Sequence, residues 1–254
     1  MYLCRLKSYW ISINKKYSEK MKKQIRLFAV IAMMIASLTG FAQKPFAGKI
    51  VFEMTAEGIS DPNVAAQLAE ATQEIIVMGN NSRMEANQGV DVITISNGDA
   101  KTYTVILGIP GYGKYYVKQT AEDLEKKMQT SKVDYEYLSD TKTIAGYKCT
   151  KVIEKVTDLE TDEEKTEVLW VTTELGLGDN INFFEHPGLK GYPLASENKT
   201  ELNGEECTII TSATSVTPAK KVKATQFLLP SDAKDIKEAP EELKQMLGMT
   251  GEEE

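Results

Sequence analysis

Apolar and polar residues alternate along most of the chain after residue 48, the period-two mark of half-buried β-strands. Lys49–Thr55 places Ile50, Phe52 and Met54 on one face. Glu74–Met78 and Ser82–Ala86 flank Gly79-Asn80-Asn81, and Val92–Ser96 and Lys101–Leu107 flank Asn97-Gly98. Both connections hold residues that tolerate positive φ, so each predicts a hairpin. Lys114–Lys118, Val133–Leu138, Tyr147–Val156, Glu167–Thr173, Cys207–Val216 and Val222–Leu228 complete a set of about ten strands at the spacing of an all-β domain.

Three segments switch to helical spacing. Asp61-Pro62 is an N-cap followed by proline in the first turn, and Val64, Leu68 and Ala71 recur on one face. Thr120-Ala121-Glu122-Asp123 reads as a capping box, with Leu124 and Met128 sharing a face. Pro240 opens a last short helix carrying Leu243, Met246 and Leu247, with Gly248 as its stop. None is long enough to stand alone in water, so each is expected to lie on the sheet. Strands do not alternate with long helices, which disfavours a doubly wound parallel sheet. The expectation is a mainly β (α+β) fold: a strongly curved antiparallel sheet, or unclosed barrel, with short capping helices.

The N-terminal region follows a different pattern. Lys22, Lys23 and Arg26 precede an uncharged apolar run from Leu27 to Leu38, and Gly40-Phe41-Ala42 supplies small residues for cleavage. Residues 21–42 therefore read as a secretory signal peptide, with residues 1–20 an upstream leader. The apolar run is shorter than the roughly 20 residues a membrane-spanning helix needs. The mature chain is expected to start at Gln43, in the periplasm or outside the cell, and not to span the membrane. Residues 43–248 read as one domain and residues 249–254 as an acidic tail. Processing moves the net charge from −7 to −14, because eight basic side chains and one acidic one lie within residues 1–42. That sign disfavours nucleic acid as a partner.

Chemistry is sparse. His186 is the only histidine, in a Phe-Phe-Glu-His-Pro-Gly loop, and reads as an exposed turn residue. No catalytic residues and no cofactor are expected, and one histidine with two distant cysteines lacks the spacing of a zinc site. Gly108–Gly113 lacks the order of a phosphate-binding loop. The acidic loop at Asp158–Asp162 lacks the spacing of a calcium loop. Glu53, Glu74 and Glu85 lie in strands, where they either face inward or point to solvent. Cys149 and Cys207 are either two buried thiols or a disulfide in an oxidising compartment. The aromatic residues Phe52, Tyr103, Tyr115, Tyr135, Tyr137 and Trp170 either build the core or line a cavity for an apolar ligand.

Several pieces resemble one family. Ile144-Ala145-Gly146-Tyr147-Lys148-Cys149-Thr150-Lys151 precedes a charged stretch. Val168-Leu169-Trp170-Val171-Thr172 with Glu174-Leu175 follows, then Leu189-Lys190-Gly191-Tyr192-Pro193-Leu194 and Phe227-Leu228-Leu229-Pro230. With Ser82-Arg83-Met84-Glu85 after a hairpin, this order is similar to DUF4412, a family of secreted or periplasmic proteins common in Bacteroidetes. The resemblance spans residues 48–235. It implies a layout like the lipoprotein carriers LolA and LolB, and it implies no activity. The reading that follows is an exported, non-enzymatic protein binding an apolar or lipid-like ligand in a curved sheet. The alternative is a cell-envelope module that meets another protein.

Overall fold

The computed structural model describes residues 46–87, 91–202, 204–219 and 221–247. The expected signal segment, leader and acidic tail lie outside the described residues. One twelve-stranded sheet contains β1 (Ala47–Glu57), β2 (Thr72–Met78), β3 (Asn81–Asn87), β4 (Asp91–Asn97), β5 (Thr102–Ile109), β6 (Gly113–Gln119), β7 (Ser131–Ile144), β8 (Tyr147–Asp158), β9 (Glu164–Thr172), β10 (Tyr192–Leu202), β11 (Glu205–Pro218) and β12 (Ala233–Asp235). Its order is β12-β6-β5-β4-β3-β2-β1-β11-β10-β9-β8-β7. Two meanders, β1 to β6 and β7 to β11, are joined by antiparallel pairing of β1 with β11. Only β12 runs parallel to its neighbour.

The connections force this sheet to roll. β6 and β7 are ten strand spacings apart in the sheet, about 48 Å if it were flat. Yet helix α2 (Ala121–Thr130) and its caps connect them, and ten helical residues span only about 15 Å. The two ends of the row must therefore approach each other. β12 and β7 do not pair, so the roll stays unclosed. This is the unclosed, mainly β architecture expected from the alternation.

Local chemistry sets the turns. Ile144 pairs with Tyr147 across a two-residue loop, with Ala145 at φ 48° and Gly146 at φ 88°. Both loop residues are left-handed, which matches the twist of the strands. The Asn97-Gly98 hairpin forms with a longer loop than the dipeptide implies: Asn97 pairs with Thr102, and the Asn97 side-chain Oδ1 accepts from the Ala100 N–H. Helix α1 (Pro62–Glu70) starts where expected, capped by Asp61, and α2 carries the full capping box between Thr120 and Asp123. Helix α3 (Glu241–Met246) packs Leu243 over Ile109 and Tyr115 at the β5–β6 edge.

Two expectations are corrected. Residues 222–228 are not a strand. Ala224–Phe227 forms a 3-10 turn that seats Phe227 on Ile95 and Ile106. Instead, β10 joins β9 to β11, and its register shift between Pro193 and Ala195 breaks the alternation that would have revealed it. Cys149 and Cys207 are both buried free thiols. Their strands, β8 and β11, have β9 and β10 between them, so the disulfide considered above is not formed. Three spacings put the backbones about 14 Å apart, twice the reach of a disulfide.

Candidate functional site

The concave face is occupied by the chain itself. Residues 173–191, between β9 and β10, pass over it. Phe184 stacks on Tyr103 of β5 at a ring-centroid distance of 4.6 Å, and the Lys127 ammonium of α2 lies over the same ring. Two residues on, His186 reaches Glu154 of β8. β5 and β8 are eight spacings apart in the sheet, so one short segment touching both fixes how tightly the sheet curls. The loop is anchored on the hairpin tips: the Gly178 N–H donates to the Gly79 carbonyl and the Asn180 N–H to Asn80 Oδ1. A methyl group at Gly178 would collide with the Asn80 side chain, so only glycine allows this approach. Buried Asn182 donates to the Gly191 carbonyl and closes the base of the loop.

Beneath the loop lies a cluster of titratable groups. His186 Nδ1 sits 2.9 and 3.1 Å from the two oxygens of Glu154, and the Tyr135 hydroxyl of β7 donates to the same carboxylate at 2.9 Å. The side chains of Glu154 and His186 are 5% and 15% exposed, so the pair is shielded from solvent. Glu167 stands opposite Glu154 on β9 and bonds with Ser196 of β10. One donor atom from each of Glu154, Glu167 and His186 falls within 4.8 Å of the others.

The electrostatics follow from burial and crowding. Burial alone would pull the His186 pKa down. The hydrogen bond and charge of Glu154, with the charges of Glu185 and Glu167, overcome this and hold it above its ordinary value. Burial, aided by the Glu154 and Glu185 charges, raises Glu167 against the opposing influence of His186 and Ser196. Burial and then Glu154 push the Tyr135 phenol well up, so it stays a proton donor. Glu53, Glu74 and Glu85, the strand carboxylates noted in the sequence, all face solvent.

Two cavities border the loop. A chamber of about 120 Å³ lies between Phe52, Ile75, Tyr192, Ser196, Thr211 and His186. A larger cleft of about 620 Å³ opens where the loop leaves β9 and enters β10, lined by Leu175, Leu177, Ile181, Leu189, Lys190 and Tyr192. The six aromatic residues singled out in the sequence do not share one cavity. Phe52 lines the chamber, Tyr103 holds Phe184, and Tyr115 lies under α3. Tyr135 binds Glu154, while Tyr137 is 47% exposed and accepts from the Lys190 N–H. Trp170 donates to Glu197 and lies beneath the Lys142 ammonium.

The family model described as a domain of unknown function, DUF4412, matches residues 46–187, more than half of the chain. The chain belongs to the DUF4412 family. The match includes His186 and ends before the Leu189–Leu194 and Phe227–Pro230 pieces of the resemblance. No curated protein matches this DUF4412 protein. Among solved structures, PNGF-II in a C2 crystal form aligns at 13% identity and a TM-score of 0.50, over 80% of this chain and 33% of that one. The DUF4412 chain thus spans about a third of the length of PNGF-II, and the likeness is one of fold. YmcC, a hypothetical lipoprotein of Escherichia coli, aligns at 8% identity with a TM-score of 0.29, over 73% of this chain and 97% of that one. A DUF1329 family protein from Desulfovibrio piger gives 9% and 0.22, over 74% and 91%. Among the described residues no helix is long and apolar enough to cross a membrane.

Sequence reasoning passed over Glu154 and Glu167 and read His186 as an exposed turn residue, whereas its side chain is 15% exposed because the loop turns it inward onto Glu154. A signal was present. Glu154 is in phase with buried Val152, and Glu167 with buried Leu169 and Val171, so two carboxylates occupy the apolar phase of adjacent strands.

Proposed function

We propose that this DUF4412 protein is an exported, non-enzymatic binding protein of the cell envelope that takes an apolar or lipid-like ligand in the cleft beside loop 173–191. The observation that carries the reading is the cleft itself. Its volume of about 620 Å³ falls within the roughly 300–1,000 Å³ usual for small-molecule sites, whereas the chamber of about 120 Å³ falls below it. Its apolar wall comes from Leu175, Leu177, Ile181 and Tyr192, and Lys190 on its lining supplies a cation for an acidic head group. Delipidated full-length protein titrated with a fluorescent fatty acid should show saturable uptake. Leu177→Asp, at a half-buried position on the cleft wall, should abolish it. Non-saturable uptake, or uptake that Leu177→Asp leaves unchanged, would overturn the reading.

An interaction module is the second reading, favoured by Leu228 and Leu229, which are 62% and 41% exposed on adjacent positions. In that case Leu228→Ser with Leu229→Ser would abolish association with an envelope protein and leave fatty-acid uptake untouched.

A further inference from the structure

We infer that Glu154, Glu167 and His186 form a binding site for one first-row divalent transition-metal ion, with Zn²⁺ as the type. The inference is independent of the cleft and of what occupies it.

The donor set comes first. One imidazole nitrogen and two carboxylate oxygens, drawn from β8, β9 and the loop, converge within 4.8 Å. Donors on a common Zn²⁺ at about 2.0–2.2 Å lie at most about 4.4 Å apart, so a small side-chain rotation closes the set. An imidazole in the set favours Zn²⁺ and its neighbours over Mg²⁺ or Ca²⁺, which prefer all-oxygen sites.

Charge balance comes second. Glu154 and Glu167 carry two negative charges into a shielded site when ionised, and His186 is the ion-pair partner of Glu154. Glu185 adds a third carboxylate close enough to act on the imidazole. One divalent cation neutralises Glu154 and Glu167 while leaving the imidazole neutral, the form that ligates metal.

The support around the ligands comes third. Tyr135 donates to Glu154, and Ser196 bonds with Glu167, so each carboxylate is oriented by its own outer hydrogen bond. The His186 backbone N–H is tied to the Asn182 carbonyl, which fixes the turn that presents the ring. Such outer contacts are what hold metal ligands in place. The neighbouring chamber reaches His186 and Ser196, with polar Gln73 and Thr211 on its wall. It offers room for a water molecule to complete the coordination.

The test uses untagged full-length protein, treated with chelator, exchanged into chelator-free buffer and titrated calorimetrically with ZnCl₂. Saturable binding of one equivalent at micromolar affinity or better is expected, with a rise in Tm. Glu167→Gln keeps the side-chain volume and the bond to Ser196 but removes an anionic ligand, and should weaken binding by at least about tenfold. His186→Gln should do the same. Cys4→Ser, Cys149→Ser and Cys207→Ser together should bind as the parent does, which separates this site from thiol binding. No uptake of Zn²⁺, uptake lost in the triple serine variant, or uptake unchanged by both Glu167→Gln and His186→Gln would overturn the assignment.

Discussion

Replacing His186 with alanine tests how the loop is seated in the roll. The substitution removes the imidazole hydrogen-bonded to Glu154, whose side chain is 5% exposed. Removing one member of a buried pair costs about 3–5 kcal/mol, mostly because the remaining charge is stranded. The lower end applies here, because the Tyr135 hydroxyl still donates to Glu154. For a domain of this size 1 kcal/mol shifts Tm by about 2–4 °C, so a fall of about 6–12 °C is expected. Urea and thermal unfolding in chelator-containing buffer measure the loss without any contribution from bound metal. The paired variant Glu154→Leu with His186→Leu should recover most of it, since apolar side chains can replace a buried ion pair at little cost. A loss below about 0.5 kcal/mol for His186→Ala would place it among ordinary surface substitutions and refute the seating of the loop on β8.

Two further outcomes follow from the same contacts. Asp123→Ala should lower Tm at neutral pH by removing the capping box of α2. The backbone N–H and hydroxyl of Thr120 hold the Asp123 pKa below its ordinary value, so its stabilisation is present above the unfolded-state pKa and fades as pH falls through the folded-state value. The Tm gap between parent and variant should therefore narrow below about pH 4; a gap that persists there would show that the carboxylate's charge is not what caps the helix. Gly178→Ala should destabilise by about 1–3 kcal/mol in urea unfolding, because the added methyl displaces the Asn80 side chain and breaks its bond to the Asn180 N–H; an unchanged midpoint would show that the loop does not press on the hairpin tip.

The alternation made most of the sheet legible, because a side chain's phase in a strand is a local property. Ile50 and Phe52 are buried as their phase requires, and Asp61 and Thr120 cap helices from their own sequence neighbourhoods. β10 was hidden because Pro193 and the shifted register at Ala195 disturb the period, and because its second half, from Asn198 to Glu201, is polar and exposed. Val222–Leu228 passed for a strand on composition, although only Phe227 in it is buried. The candidate site was less legible still. Residues 173–191 read as a connection and His186 as a surface turn, because nothing local says that a loop will enter a rolled sheet. The phase of Glu154 and Glu167 was the one local clue.

The loop's position follows from the size of the roll. Eight strands enclose about as much space as side chains can fill, and larger rolls leave a hollow. A twelve-stranded sheet rolled nearly shut exceeds what its inward side chains can fill, and close packing does not tolerate an empty apolar space of that size. Water, a ligand or the chain itself must enter. Here the chain does: Leu175, Ile181, Phe183 and Leu189 of the loop are buried, and α3 covers the β5–β6 end with Leu243. A loop backbone is irregular and must satisfy its own polar groups, which explains the Asn182 bond to Gly191 and the turn from Asn182 to His186. An irregular plug also fits a smooth wall imperfectly, and both cavities described here border it. The cleft opens at its two ends, and the chamber and the cluster lie beneath His186. In the proposed metal site the loop supplies His186 while β8 and β9 supply Glu154 and Glu167, so a DUF4412 chain with the same sheet and a different segment between β9 and β10 should keep the two carboxylates and lose the imidazole and the cleft wall.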